Sequence, residues 1–111
     1  MKDRELGWLA GLLEGEGCFC LMVNKTNGRR YIKISLDMTD EDTVKRASEY
    51  AGVGTLGGPY SRGSNKSVWI WQVQKQADAA ALMMMLFPLM GQRRQDKISE
   101  LLTIWKAGTN G

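Results

Sequence analysis

Histidine is absent from this 111-residue chain, and cysteine and proline occur only twice each. Without imidazole, no carboxylate here can be partnered by histidine, and no His/Cys metal set can be completed. Cys18 and Cys20 alternate in "GCFCL"; thiols two residues apart on one strand rarely bridge, so both are expected to be free. Long apolar runs are missing too. The most apolar stretch, residues 79–90, contains Pro88 and is too short for a bilayer, and residues 1–7 are too charged for a signal peptide. No membrane association is expected, and the location expected is cytoplasmic, or organellar or nucleoid for an intron product. What is present is globular in character, 43% hydrophobic and 24% charged, at a length that suits one domain over residues 1–111.

Acids are missing from two stretches. Residues 24–36 carry Lys25, Arg29, Arg30 and Lys33, and residues 59–77 carry Arg62, Lys66 and Lys75, without one Asp or Glu. Acids gather elsewhere, as at Asp40, Glu41 and Asp42, so the net charge of +3 is sorted by element. Such segregation favours a polyanionic partner over scattered surface lysines.

Hydrophobic period supplies the order of elements. Residues 6–14 read as a helix. Over residues 18–24, Phe19, Leu21 and Val23 alternate with Cys18, Cys20, Met22 and Asn24. Over residues 31–38, Ile32, Ile34, Leu36 and Met38 alternate with Tyr31, Lys33, Ser35 and Asp37. Asn27-Gly28 between them predicts a hairpin. Thr39 or Asp40 can cap a helix that runs to Tyr50 and stops at Gly52. A second strand pair follows over residues 53–60 and 67–74, with Trp69, Trp71 and Val73 on one face and Gln72 and Gln74 on the other. Helices over residues 78–89 and 95–106 complete an α-β-β-α-β-β-α-α order. The fold class is α+β: a four-stranded antiparallel sheet with its helices on one face. The open face would carry Asn24, Lys33, Ser35, Asp37, Gln72 and Gln74, and two-stranded ribbons fit the DNA major groove.

The first helix raises its own question. At about 100° per residue, Gly7, Gly11 and Gly15 share one stripe, with Leu6, Leu9, Leu12 and Leu13 opposite. Three glycines each cost about 1 kcal/mol against Ala, so compensating packing is expected: close approach by a second copy across a two-fold axis, with tight helix-on-sheet packing or the helix end as the plainer reading. Glu16, placed just past the helix end, would then meet its copy at the centre of the joined sheets. Carboxylates beside phosphates suit Mg²⁺, which takes oxygen ligands and retains several waters.

The stretch "WLAGLLEGEG" resembles the LAGLIDADG signature of homing endonucleases and related maturases, with Leu13, Glu14, Gly15 and Glu16 standing for Ile, Asp, Ala and Asp. The element order resembles the family's along nearly the whole chain. One motif implies a homodimer that cuts a near-palindromic double-stranded DNA site, as in intron or intein mobility. The resemblance implies that Glu16 binds the catalytic metal, that the Gly15 carbonyl adds a ligand, and that Glu14 is a helix-end charge near the interface. It implies a basic active-site residue within "LFPLMGQRRQDK", Arg93 by spacing with Arg94 second. Arg there would stabilise charge and orient phosphate without transferring a proton. Asp40 matches the place of a water-ordering polar residue, and a helix N-cap is its plainer role. The interface implied is Gly7, Leu9, Ala10, Gly11, Glu14 and Gly15.

The resemblance selects for DNA the same open face that alternation selects, including Tyr31 beside the residues above. Lys25, Arg29, Arg30, Arg62 and Lys66 on the hairpin tips are expected to hold phosphates. The third strand departs from the family pattern, offering Gly57, Gly58 and Pro59 where base-reading side chains are usual. Mg²⁺ is the expected cofactor, with Ca²⁺ substituting without cleavage. Two other readings use the same residues: a non-cleaving binder, such as a maturase or transcription regulator, and a dimerisation domain alone.

Overall fold

The structure, a computed structural model, describes residues 1–63 and 66–110. The tip of the second hairpin, at residues 64 and 65, therefore lies outside the described residues. Along the chain run α1 (Asp3–Glu16), β1 (Cys18–Val23), β2 (Arg30–Met38), α2 (Glu41–Ala51), β3 (Thr55–Ser61), β4 (Ser67–Val73), α3 (Gln76–Leu86), a 3-10 turn (Phe87–Leu89) and α4 (Gln92–Asn110). The expected order holds, and the sheet is antiparallel in the order β1-β2-β4-β3.

Alternation positions the strands. On one face the rows Phe19–Ile34–Val73 and Leu36–Trp71 are buried, and all four helices pack on the sheet or on one another there. Leu9, Leu13, Val44, Met83, Leu86, Ile98 and Leu101 fill the core between helices and sheet, all fully buried. The other face is open. Its rows are Cys18–Ser35–Gln72–Thr55, Cys20–Lys33 and Met22–Tyr31, with Asp37–Ile70–Gly57 nearer the far end.

Helix ends differ from expectation by a few residues, because they are set by contacts as well as by period. α1 begins at Asp3 rather than residue 6, where the Glu5 carboxylate accepts the Lys2 backbone N–H at 3.1 Å. It also runs on through Glu16, which is the last helical residue rather than one beyond the end. α4 starts at Gln92, three residues before the expected position. α2 stops where expected: Gly52 takes φ +70, a left-handed conformation that suits glycine, and its N–H bonds the Ser48 carbonyl at 3.0 Å.

One support was not foreseen. β4 ends at Val73, two residues short of the point opposite Ile32, and the Gln76 side-chain amide takes its place. The amide oxygen accepts the Ile32 N–H and its nitrogen donates to the Ile32 carbonyl, both at 2.8 Å. A side chain thus continues the ladder where the backbone turns into α3.

Candidate nucleic-acid interface

Expected contact residues share the open face and its ends. Tyr31, Lys33, Ser35 and Gln72 are half-buried on the sheet, while Asn24, Lys25, Arg29, Arg30, Asp37, Arg62, Lys66 and Gln74 are exposed. The β1–β2 hairpin tip is held by its own asparagines. Thr26 N–H donates to Asn24 Oδ1 and Arg29 N–H to Asn27 Oδ1, each at 2.9 Å, while Gly28 N–H bonds the Asn24 carbonyl at 2.8 Å. Lys25 and Arg29 therefore project from a fixed loop, and the Asn24 amide oxygen already serves the turn. Gln74 Nε2 donates to Gln72 Oε1 at 3.0 Å, so these two amides form a pair.

A groove runs from this hairpin to the C-terminal part of α4, lined by Lys25, Arg29, Arg30, Tyr31, Gln74 and Trp105 among others, with no acid in its lining. It carries the basic surface around the end of the sheet. Trp105 is not among the residues expected to face DNA.

Cys18 and Cys20 are free, as expected. Burial raises the Cys20 thiol pKa above its ordinary value, neighbouring Cys18 adds to the effect, and Lys33 and Lys97 pull weakly the other way.

At the end of α1 the two motif acids take different directions. Glu14 turns into its own chain: Oε1 accepts the Gly91 backbone N–H, and Oε2 lies 3.7 Å from Arg94 Nε. Arg94 also donates from Nε and Nη2 to the Glu14 carbonyl at 3.3 and 3.1 Å, and its guanidinium lies 5.7 Å from the Phe19 ring centre. Glu16 is exposed, and among the described residues no side chain pairs with it. Gly15 is also exposed, with space around it.

One expectation needs correction here, and the other expected residues are placed as follows. Leu9 and Ala10 are 0% and 2% exposed, packed in the core of their own chain, and so cannot form an interface with another. The Glu14 carboxylate contacts Gly91 and Arg94 of its own chain and keeps 39% of its side chain exposed. Gly7 and Gly11 do lie open, with no atom within 4 Å of an added Cβ. Of the two arginines, Arg94 touches the motif, while Arg93 is exposed on the rim of a shallow pocket with Phe19, Asp96 and Lys97. Asp40 is the residue before α2, and its Oδ2 accepts the Thr43 hydroxyl at 2.7 Å rather than a backbone N–H.

No protein-family model matches the chain, and no curated protein matches it. Solved structures do. The group I intron-encoded homing endonuclease I-CeuI, complexed with DNA, matches with a TM-score of 0.77 at 15% identity, over 98% of this chain and 57% of its own. The LAGLIDADG meganuclease I-AabMI, bound to uncleaved DNA, matches with 0.72 at 22% identity, over 95% and 37%. The homing endonuclease I-CvuI, in complex with its target in the presence of Ca, matches with 0.70 at 17% identity, over 93% and 67%. This chain thus spans from about a third to two thirds of their lengths. At such identities the likeness is one of architecture. Its element order, its sheet topology and the motif that ends its first helix give this chain the LAGLIDADG homing-endonuclease fold.

Proposed function

We propose that this protein is a site-specific double-stranded DNA endonuclease, acting as a homodimer on a near-palindromic site with Mg²⁺ as cofactor. The observation that carries the proposal is the placement of Glu16: an exposed carboxylate, unpaired among the described residues, at the end of an open glycine stripe and separated by one residue from the first strand of the polar, basic sheet. Similar structures solved as homing endonucleases on DNA support the same reading.

The residues present fit the metal under one condition. Among the described residues, no group of three or more Cys, Asp or Glu side chains could hold a metal ion, so one chain offers no complete cage. Mg²⁺ does not need one, because it binds through one or two carboxylates, waters and substrate phosphate oxygens. Glu16, the Gly15 carbonyl, their copies in a second chain and the DNA phosphates would form such a set. Bound there, Mg²⁺ would activate a water and stabilise the leaving oxygen of the phosphodiester. Arg94, oriented by the Glu14 carbonyl and the Phe19 ring, retains guanidinium N–H groups to neutralise charge on the phosphate. It is assigned this role ahead of Arg93, which does not touch the motif. Lys25, Arg29, Arg30 and Lys66 would hold the backbone of the duplex.

The test is a cleavage selection on a randomised near-palindromic duplex library, in Mg²⁺ and in Ca²⁺, for wild type and Glu16→Gln. The expected result is one roughly symmetric site, bound in both metals and cut in Mg²⁺ by wild type alone. Loss of a metal ligand should lower the cleavage rate about a hundredfold or more, with binding retained. Selective binding without cutting in either metal would make the protein a non-cleaving regulator or maturase.

A further inference from the structure

The open face carries one acid among the amides and cations suited to a polyanion, Asp37, and alone its carboxylate would repel phosphates. It is not alone. Arg62 Nη1 lies 3.6 Å from Asp37 Oδ2, with the two side chains 58% and 46% exposed.

The register shows how unusual this contact is. Asp37 stands opposite Ile70 of β4, whereas the Arg62 N–H bonds the Lys66 carbonyl across the hairpin. Lys66 and Ile70 are four residue steps apart, roughly 13 Å of extended chain, and β4 itself lies between β2 and β3. In a flat ribbon the two side chains would not meet. Their contact requires the β3–β4 ribbon to curve toward β2, and the ladder has an irregularity between Gly57 and Tyr60, where such bends arise. Because its β3 member is glycine, the row Asp37–Ile70–Gly57 has no β3 side chain, and the Tyr60 hydroxyl occupies the space a Cβ would take at Gly57.

We propose that Asp37 and Arg62 act as a unit that reads one G·C pair in each half-site. The inference rests on the reading of the protein as a DNA binder. In the major groove a G·C pair presents two acceptors, guanine N7 and O6, beside one donor, the cytosine amino group. An A·T pair instead presents acceptor, donor, acceptor and a methyl group. A guanidinium held beside a carboxylate complements the first pattern: Arg62 donates to guanine and Asp37 accepts from cytosine. A phosphate contact, the role expected for Arg62 from its hairpin position, gains nothing from an adjacent acid that repels the same phosphate. The carboxylate engages one edge of the guanidinium, leaving other N–H groups for the base.

Binding selection in Ca²⁺ on the same library, with wild type, Asp37→Asn and Arg62→Ala, tests this. The wild-type motif should contain a G·C pair in each half-site whose preference disappears in both variants, with the remaining positions unchanged. In the selected site, 7-deazaguanine at that position, which lacks the N7 acceptor, should weaken wild-type binding about tenfold and leave Arg62→Ala binding unchanged. A motif identical in wild type and both variants, with Arg62→Ala weakened evenly on all sequences, would make Arg62 a phosphate contact and overturn the inference while leaving the proposed function standing. A wild type that selects no motif would overturn both.

Discussion

The two long sides of α1 are both apolar and meet opposite surroundings. On one side Leu9 and Leu13 are fully buried and Ala10 is 2% exposed, packed against the chain's own sheet and helices. On the other, Gly7, Gly11 and Gly15 have no atom within 4 Å of where a Cβ would sit. Each of those glycines could be alanine without a clash inside the chain, and each would then favour the helix by up to about 1 kcal/mol. Nothing inside the folded chain requires glycine there, which fits the proposed approach of a second copy. The helix end repeats the contrast: Glu14 is tied to Gly91 and Arg94, and Glu16 faces outward. One side of α1 holds the fold together, and the other lies open.

The largest test of this contrast is on the buried side. Leu13→Ala removes a side chain with no exposed surface from a core shared by α1 and the sheet, and should cost about 2–5 kcal/mol, read by denaturant unfolding. A cost near zero would mean that α1 is held by something other than its leucines. Next in size is Glu14→Ala, which removes a charged acceptor from the Gly91 N–H and the ion pair to Arg94. Charge-assisted hydrogen bonds contribute about 1.5–3 kcal/mol when shielded, but Glu14 is 39% exposed and water can replace it. A loss of about 1 kcal/mol is expected, with faster amide exchange at Gly91. Unchanged exchange would separate Glu14 from the start of α4 and remove its share in placing Arg94.

Much of this arrangement is legible in the sequence because it is local. Alternation places residues 18–23 and 30–38 on two faced strands, and Asn27-Gly28 marks the turn; the face each residue takes follows from those facts, while the register is set by a longer loop closed where Asn24 N–H bonds the Arg29 carbonyl. What escapes is set at a distance. The choice of Arg94 over Arg93 depends on the phase of α4, since adjacent helical residues point about 100° apart. That phase, with Ile98 and Leu101 buried in the core, brings Arg94 to the Glu14 carbonyl across a separation of 80 residues. Leu9 and Ala10 suit a core and an interface equally by composition, and only the packing of α1 on the sheet decides between them. The Gln76 amide on Ile32 and the Arg62 contact to Asp37 likewise need the strand ends and the bend of β3, which no periodic pattern encodes.

The smallest expected effect is the most informative, because its sign separates the two sides of the helix. Gly11→Ala adds one methyl group where the chain has open space, so the dilute monomer should gain about 0.5–1 kcal/mol of stability, read by thermal unfolding below the dimer dissociation constant. If a second backbone approaches this stripe, the same methyl group should weaken dimerisation in sedimentation experiments, and Gly11→Leu should leave only monomers. A stabilised monomer with an unchanged dimer would place the interface elsewhere and reduce the glycines to a tolerated weakness. A destabilised monomer would mean that the stripe is already covered within the chain, and the contrast between the two sides of α1 would fail.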